Sequence, residues 1–172
     1  MNIKLRKWDM KDLDLLVRYA NNWNIAKNLN DRFPFPYGVE QGLTFIELTS
    51  KNMHTEIFAI DLDGAAIGGI SMDVLPDVHH KNAEIGYWLA EPFWGKGMMR
   101  QAIEKMLDHI FLNYQVERVV ARPFGSNTAS HKVLEKAGFQ LEGRFEKTLY
   151  KNGEYMDELV YAVRRKNRWK EL

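Results

Sequence analysis

The residues best suited to chemistry in this chain are Gly95, Lys96 and Gly97, which stand inside the stretch Glu84 to Phe111. In Glu84 to Leu89 the side chains alternate, with Ile85, Tyr87 and Leu89 on one side and Glu84, Gly86 and Trp88 on the other, which predicts a short strand. Glu91-Pro92 ends it. From Met98 onward, Met99, Ala102, Ile103, Met106, Leu107, Ile110 and Phe111 recur three and four apart, the spacing of a helix with one buried stripe. The first N–H groups of a helix have no partner inside it, and the helix dipole places partial positive charge at the same end. Glycines without a Cβ let an anion approach that main chain, and Lys96 adds a cation between them. The chemistry on offer is phosphate binding, although one G-x-G before a helix also serves as a plain tight turn. The usual nucleotide signatures are absent: there is no G-x-x-x-x-G-K-[ST] loop, and Arg100 stands where a dinucleotide fingerprint needs a third glycine.

Further along, Asn127 is a good helix N-cap and Ser130 suits a first helical turn. Glu84 is either an ordinary charge at a strand start or a titratable group for a reaction. His79 and His80 are adjacent, point to different sides and lack ligand spacing with other candidates, so exposed loop histidines are expected and no metal site. The chain has no cysteine, which excludes disulfides, thiolate metal sites and a cysteine acyl-enzyme. G-x-S-x-G is missing too, so Ser126 after Gly125 does not form a nucleophile elbow.

These residues need elements to position them. With 172 residues, 45% of them hydrophobic, the length suits one domain, 1–172, with a sizeable core. Net charge is +1 without a long run of like charge, so no nucleic-acid surface is expected, and Arg164-Arg165-Lys166 reads as a solvated strand end. No apolar run approaches a signal core or a membrane span, and a cytoplasmic protein without a membrane partner is expected. Asn2 to Trp8 alternates as a first strand, and Asp9 or Asp12 can cap a helix carrying Leu13, Leu16 and Val17. A short helix follows around Trp23 to Leu29. Asn30 to Gly38 holds Phe33, Phe35 and Tyr37 between prolines, which suits either a pocket wall or a loop packed on the flank. A helix spans about Val39 to Lys51. His54 to Leu62 and Ala65 to Val74 form a hairpin across Asp63-Gly64, with Gly68-Gly69 marking a bulge. Val116 to Arg122 is a strand, a helix runs from near Asn127 to Gly138, and Asn152-Gly153 joins two final strands. In the last of these, Tyr155, Asp157, Leu159, Tyr161 and Val163 share a face. The order predicts an α+β fold with a mixed, mainly antiparallel twisted sheet of about seven strands flanked by helices.

Ile85-Gly86-Tyr87-Trp88-Leu89 through Phe93-Trp94-Gly95-Lys96-Gly97 resembles the acetyl-CoA-binding motif of the GNAT acetyltransferases, whose [RQ]-x-x-G-x-[GA] loop holds the pyrophosphate of coenzyme A. Pro92 or Phe93 stands where that motif has Arg or Gln. Asn127 to Phe139 is similar to the N-x-x-S-x-x-[VL]-x-x-K-x-G-F pattern of one branch, the ribosomal-protein alanine N-acetyltransferases (RimJ and RimL) and spermidine acetyltransferases. The resemblance spans Asn2 to Arg165 and is strongest from Ala83 to Gly143. It implies a single GNAT-like domain that takes acetyl-CoA as co-substrate. The main chain of Trp88, Leu89 and Ala90 would pair with the pantetheine arm, and Trp94, Gly95, Lys96, Gly97, Met98 and Met99 would hold the pyrophosphate. Asn127 would bond the arm and Ser130 would lie near the sulfur.

In many GNAT enzymes a tyrosine protonates the departing thiolate, but the matching position here is Leu134, which leaves Ser130 as the hydrogen-bond donor. For the base, Glu84 competes with Asp157, Glu158 and a relayed water, because Leu149 replaces the glutamate the branch often carries before its hairpin. The implied activity is acetyl transfer to a primary amine, a protein N-terminus or a small amine, by direct attack in a ternary complex. The alternative is a non-catalytic acyl-CoA-binding module with a degenerate active site, which Leu134 and Leu149 would fit; a nucleotide-binding regulatory domain is a third reading. The resemblance also leaves room for a homodimer.

Overall fold

A strand, three helices and then six more strands interleaved with helices make up the computed structural model, which describes residues 2–51 and 55–168. His54, the expected start of the second strand, lies outside the described residues. The elements are β1 (Lys4–Lys7), α1 (Leu13–Ala20), α2 (Trp23–Ala26), α3 (Val39–Lys51), β2 (Thr55–Leu62), β3 (Ala65–Val74), β4 (Asn82–Leu89), α4 (Met98–Asn113), β5 (Arg118–Ala121), α5 (Thr128–Lys136), β6 (Gln140–Lys151), β7 (Glu154–Arg164) and α6 (Arg165–Arg168). The strands form one seven-stranded sheet in the order β1-β2-β3-β4-β5-β7-β6. The β4–β5 pair is parallel, while β1–β2, β5–β7 and β6–β7 are antiparallel, so the expected α+β class and mainly antiparallel sheet are what the chain forms. By density of contacts the chain divides into two compact units, one of residues up to Ser71 with Tyr87–Ala102, the other of Met72–Gly86 with residues from Ile103 on.

In the first unit the core gathers Trp8, Leu16, Ala20, Tyr37, Ile46, Ala59 and Ala66, with Leu13, Phe33, Phe45, Ile57 and Trp88 packed against it. Asp9 caps a 3-10 turn, Met10–Asp12, in a reciprocal box with Asp12, and α1 follows directly. The buried Asp12 accepts two hydrogen bonds from Arg6, which also reaches Asp61 of β2 at 2.6 Å, so the one charge of β1 that turns inward is matched. The aromatic loop divides its side chains. Phe33 lies 5.3 Å from the Tyr37 ring and 5.8 Å from Trp88, and burial pushes the Tyr37 phenol up to about 12, so these two residues pack inward. Phe35 instead stays half exposed beside Trp23.

Gly68 and Gly69 act by making room. A Cβ on Gly68 would stand 2.4 Å from the Trp88 carbonyl oxygen, and one on Gly69 would stand 2.8 Å from the Trp88 indole nitrogen. The pair is therefore needed for the close approach of Trp88, a reason that the bulge expectation did not contain.

In the second unit, Ile103, Met106, Leu107 and Ile110 of α4 are fully buried, and each such side chain is worth roughly 1.5–3 kcal/mol of transfer from water. All of Leu159 to Val163 on β7 is buried, on both faces, where alternation predicted one. Asn152 (φ 54°) and Gly153 (φ 84°) are both left-handed, the tight hairpin turn that Asn-Gly predicts. Arg165 is no solvated strand end. Its guanidinium donates to the carbonyls of Phe111 (2.6 Å), Tyr114 (2.7 Å) and Val116 (2.7 Å), and lies 5.2 Å from the Phe111 ring, closing the C-terminal end of α4.

Candidate active site

The β4–β5 register runs from Asn82↔Arg118 to Glu84↔Val120, and β4 continues to Leu89 beyond it. The end of β4 is then pinned from within its own unit. The Ala90 N–H donates to Ile67 O at 2.8 Å, and the Trp94 indole N–H donates to Leu89 O at 2.7 Å. Two of the main-chain groups expected to meet a pantetheine arm therefore have protein partners. A 3-10 turn, Glu91–Phe93, leads to the glycines.

Gly95 (φ 74°) and Gly97 (φ 76°) are both left-handed, and a Cβ on either would meet nothing within 4 Å. The requirement for glycine is conformational, and the space over the main chain is open. Met98 is buried and anchors the start of α4, so only its main chain can serve a ligand, and Met99 is half-buried. Lys96 Nζ donates to Pro92 O at 2.9 Å and lies 5.6 Å from the Phe93 ring, which holds its charge at the loop. Trp94 is 43% exposed. Positive dipole end, open main chain and a tethered cation together suit a diphosphate.

Glu84, Asn127 and Ser130 belong to the second unit. The Asn127 side chain accepts the Ser130 N–H at 3.2 Å and caps α5, while the Ser130 side chain is nearly buried. Leu134 is fully buried, so the position where the family carries a tyrosine is core in this chain. Glu84 accepts from Arg122 Nε at 3.2 Å, and Arg122 also stands 3.6 Å from Glu158. Asp157 has both oxygens engaged, by the Lys147 main-chain N–H at 2.9 Å and by Arg144 Nε at 2.8 Å. Those bonds hold its carboxyl below the usual aspartate range, which makes it a weak base. Its work is to close the irregularity between Phe145 and Leu149 of β6.

The contacts among three polar residues of the second unit were not expected from the sequence. His131 Nε2 lies 3.0 Å from Phe124 O, its ring stacks on Tyr161, and the Tyr161 hydroxyl donates to Glu135 at 3.0 Å. Burial, with Glu135 beside it, pushes the Tyr161 phenol up. His79 and His80 are exposed, and among the described residues no cluster of three His, Cys, Asp or Glu could hold a metal ion.

A model of the acetyltransferase (GNAT) domain matches residues 2–140. The chain belongs to this family. The putative ribosomal N-acetyltransferase YdaF of Bacillus subtilis (strain 168) is 39% identical over 107 residues, 62% of this chain and 57% of that relative, so the match spans less than two thirds of its length. Two solved structures share the GNAT fold over nearly the whole chain. One is RimL, a ribosomal L7/L12 α-N-protein acetyltransferase in complex with coenzyme A, with a TM-score of 0.83 and 25% identity over 95% of this chain and 94% of its own. The other is the microcin C7 self-immunity acetyltransferase MccE in complex with acetyl-CoA and AMP, with a TM-score of 0.83 and 27% identity over 94% and 92%. The GNAT match includes both sequence motifs, the glycine loop and the Asn127–Phe139 stretch up to its end.

Proposed function

We propose that this GNAT protein transfers an acetyl group from acetyl-CoA to a primary amine, either a protein N-terminus or a small amine, by direct attack in a ternary complex. The observation that carries the reading is the pair of left-handed glycines with open space above them, at the start of the sixteen-residue helix α4. The solved relatives in complex with coenzyme A or acetyl-CoA support the co-substrate, and RimL, as a ribosomal L7/L12 α-N-protein acetyltransferase, supports an amine acceptor.

In this reading the main chain of Gly95 to Met99 binds the diphosphate, with Trp94 and Lys96 at its side. Trp88, Leu89 and Ala90 lie along the pantetheine arm. Because Leu89 O and the Ala90 N–H already have partners, the arm must use other groups of that main chain or displace Trp94. Asn127 bonds the arm while it caps α5. The acceptor must arrive as a neutral amine, since an ammonium has no lone pair. As the amine forms its bond to the acyl carbon the C–S bond breaks, and the Ser130 hydroxyl donates a hydrogen bond to the sulfur, where charge develops. Glu84 is the base in this scheme, with Glu158 sharing Arg122 beside it; Asp157 is set aside because its oxygens are engaged.

The buried Leu134 favours a second reading, an acyl-CoA-binding module that has lost turnover. Release of free thiol from acetyl-CoA in the presence of an amine panel separates the two. Release that depends on an amine supports transfer, and tight binding without release supports the module. A stable acetylated protein formed from acetyl-CoA alone would contradict direct attack.

A further inference from the structure

Glu91 opens the turn between β4 and the glycine loop, and it is tied to a distant part of the same unit. Its Oε2 accepts from Asn22 Nδ2 at 2.6 Å and its Oε1 from Asn24 Nδ2 at 3.2 Å, across 69 and 67 residues of chain. Asn22 is also the N-cap of α2: its Oδ1 accepts the Asn24 N–H at 2.8 Å. Both ends of that amide are thus committed, which fixes the direction in which it offers its N–H to Glu91. Two residues past Glu91, the Phe93 ring meets Tyr19 of α1 edge to face at 5.9 Å. The turn is therefore held at two points by the α1–α2 segment. The two side-chain amides keep the Glu91 carboxyl below the usual glutamate range, Asn22 contributing most.

Exposed polar pairs of this kind contribute little to folding. Their effect is local, since they restrict a turn that would otherwise sample several conformations. The residues directly after the turn offer the main-chain N–H groups, and a loop that must order itself on binding loses affinity.

We propose that Glu91 is a positioning residue for the diphosphate loop: by holding the turn Glu91–Phe93 against the cap of α2, it presets the main chain of Gly95 to Met99 and so sets the affinity for coenzyme A. The proposal rests on the reading of that loop given above. Glu91 touches no reacting atom in this scheme and acts through the loop.

The test is titration calorimetry with coenzyme A, paired with thermal unfolding in its absence. Glu91→Ala is expected to raise Kd roughly three- to tenfold with an unchanged midpoint of unfolding. Asn22→Asp keeps a good N-cap but sets a second carboxylate against Glu91, and it is expected to weaken binding to a similar degree. Asn22→Asp combined with Glu91→Gln is expected to restore parental affinity, because a glutamine amide donates to the new aspartate while its carbonyl still accepts from Asn24. Parental affinity in both single variants, or a double variant weaker than either, would overturn the role of Glu91 and leave the loop reading standing. A parent protein that does not bind coenzyme A would overturn the loop reading itself and this proposal with it.

Discussion

At the scale of single residues, Gly97 is the sharpest point of the site. Its φ of 76° costs a residue with a Cβ about 1–2 kcal/mol, and a side chain there would project into the open space over the main chain. Gly97→Val is expected to retain the fold by circular dichroism and to lose coenzyme A binding in calorimetry. Ser130 tests a different step. If its hydroxyl bonds a developing thiolate, Ser130→Ala lowers kcat on the order of tenfold to a hundredfold and shifts the KM for acetyl-CoA far less. The left-handed glycine turn before α4 was legible in the sequence because it follows from residue type, and the anion binding proposed for it rests on helix polarity. The tie of Glu91 to Asn22 and Asn24 was not, since pairings across 69 and 67 residues leave no local signature. The bond from Trp94 to Leu89 O depends on the geometry of the turn between them rather than on residue type. Only the capping role of Asn22 before Trp23 could have been read off in advance.

Among the elements, α4 depends on what happens at its other end. Arg165 neutralises the carbonyls of Phe111, Tyr114 and Val116 with a charged fork, so Arg165→Met is expected to cost about 1–3 kcal/mol in urea unfolding. β6 is held by charge as well. Glu142 accepts from Arg118 of β5 and from Arg164 of β7, and the Arg118 bond above all holds its carboxyl below the usual glutamate range. A depressed folded pKa means that the stabilisation is present above the ordinary glutamate value and is lost as pH falls through the lower, folded one. The urea midpoint of the parent is expected to drop on acidification from pH 5 towards pH 3, and Glu142→Gln is expected to flatten that limb while lowering the midpoint at pH 7.

The sequence revealed those elements whose own chemistry closes them: Val39–Lys51, Ala65–Val74 and the Asn152-Gly153 hairpin fall where pattern and turn residues put them, whereas α4, whose first turn the pattern puts at about Gly95 to Gly97, starts at Met98 because both glycines are left-handed. It overextended α2, which ends at Ala26 rather than Leu29, because polar residues in a short helix carry no periodicity to mark its end. It also misread Arg165, since a basic run looks alike whether it meets water or the carbonyls of a helix end.

For the molecule as a whole, the seven-stranded order and the family match converge on one chemistry, acetyl transfer. The near-neutral charge of +1 gives no general attraction for a polycation, and Trp23, half exposed with Phe35, directly follows Asn22, which bonds Glu91. Among the described residues no helix is long and apolar enough to cross a membrane. The most direct test of the central claim is calorimetric titration of the parent protein and of Gly97→Val with acetyl-CoA and, separately, with ATP. The diphosphate loop of a GNAT enzyme predicts saturable binding of acetyl-CoA by the parent, a much weaker response to ATP, and loss of acetyl-CoA binding in the variant. Equal binding of acetyl-CoA by parent and variant, or no binding by the parent, would contradict it.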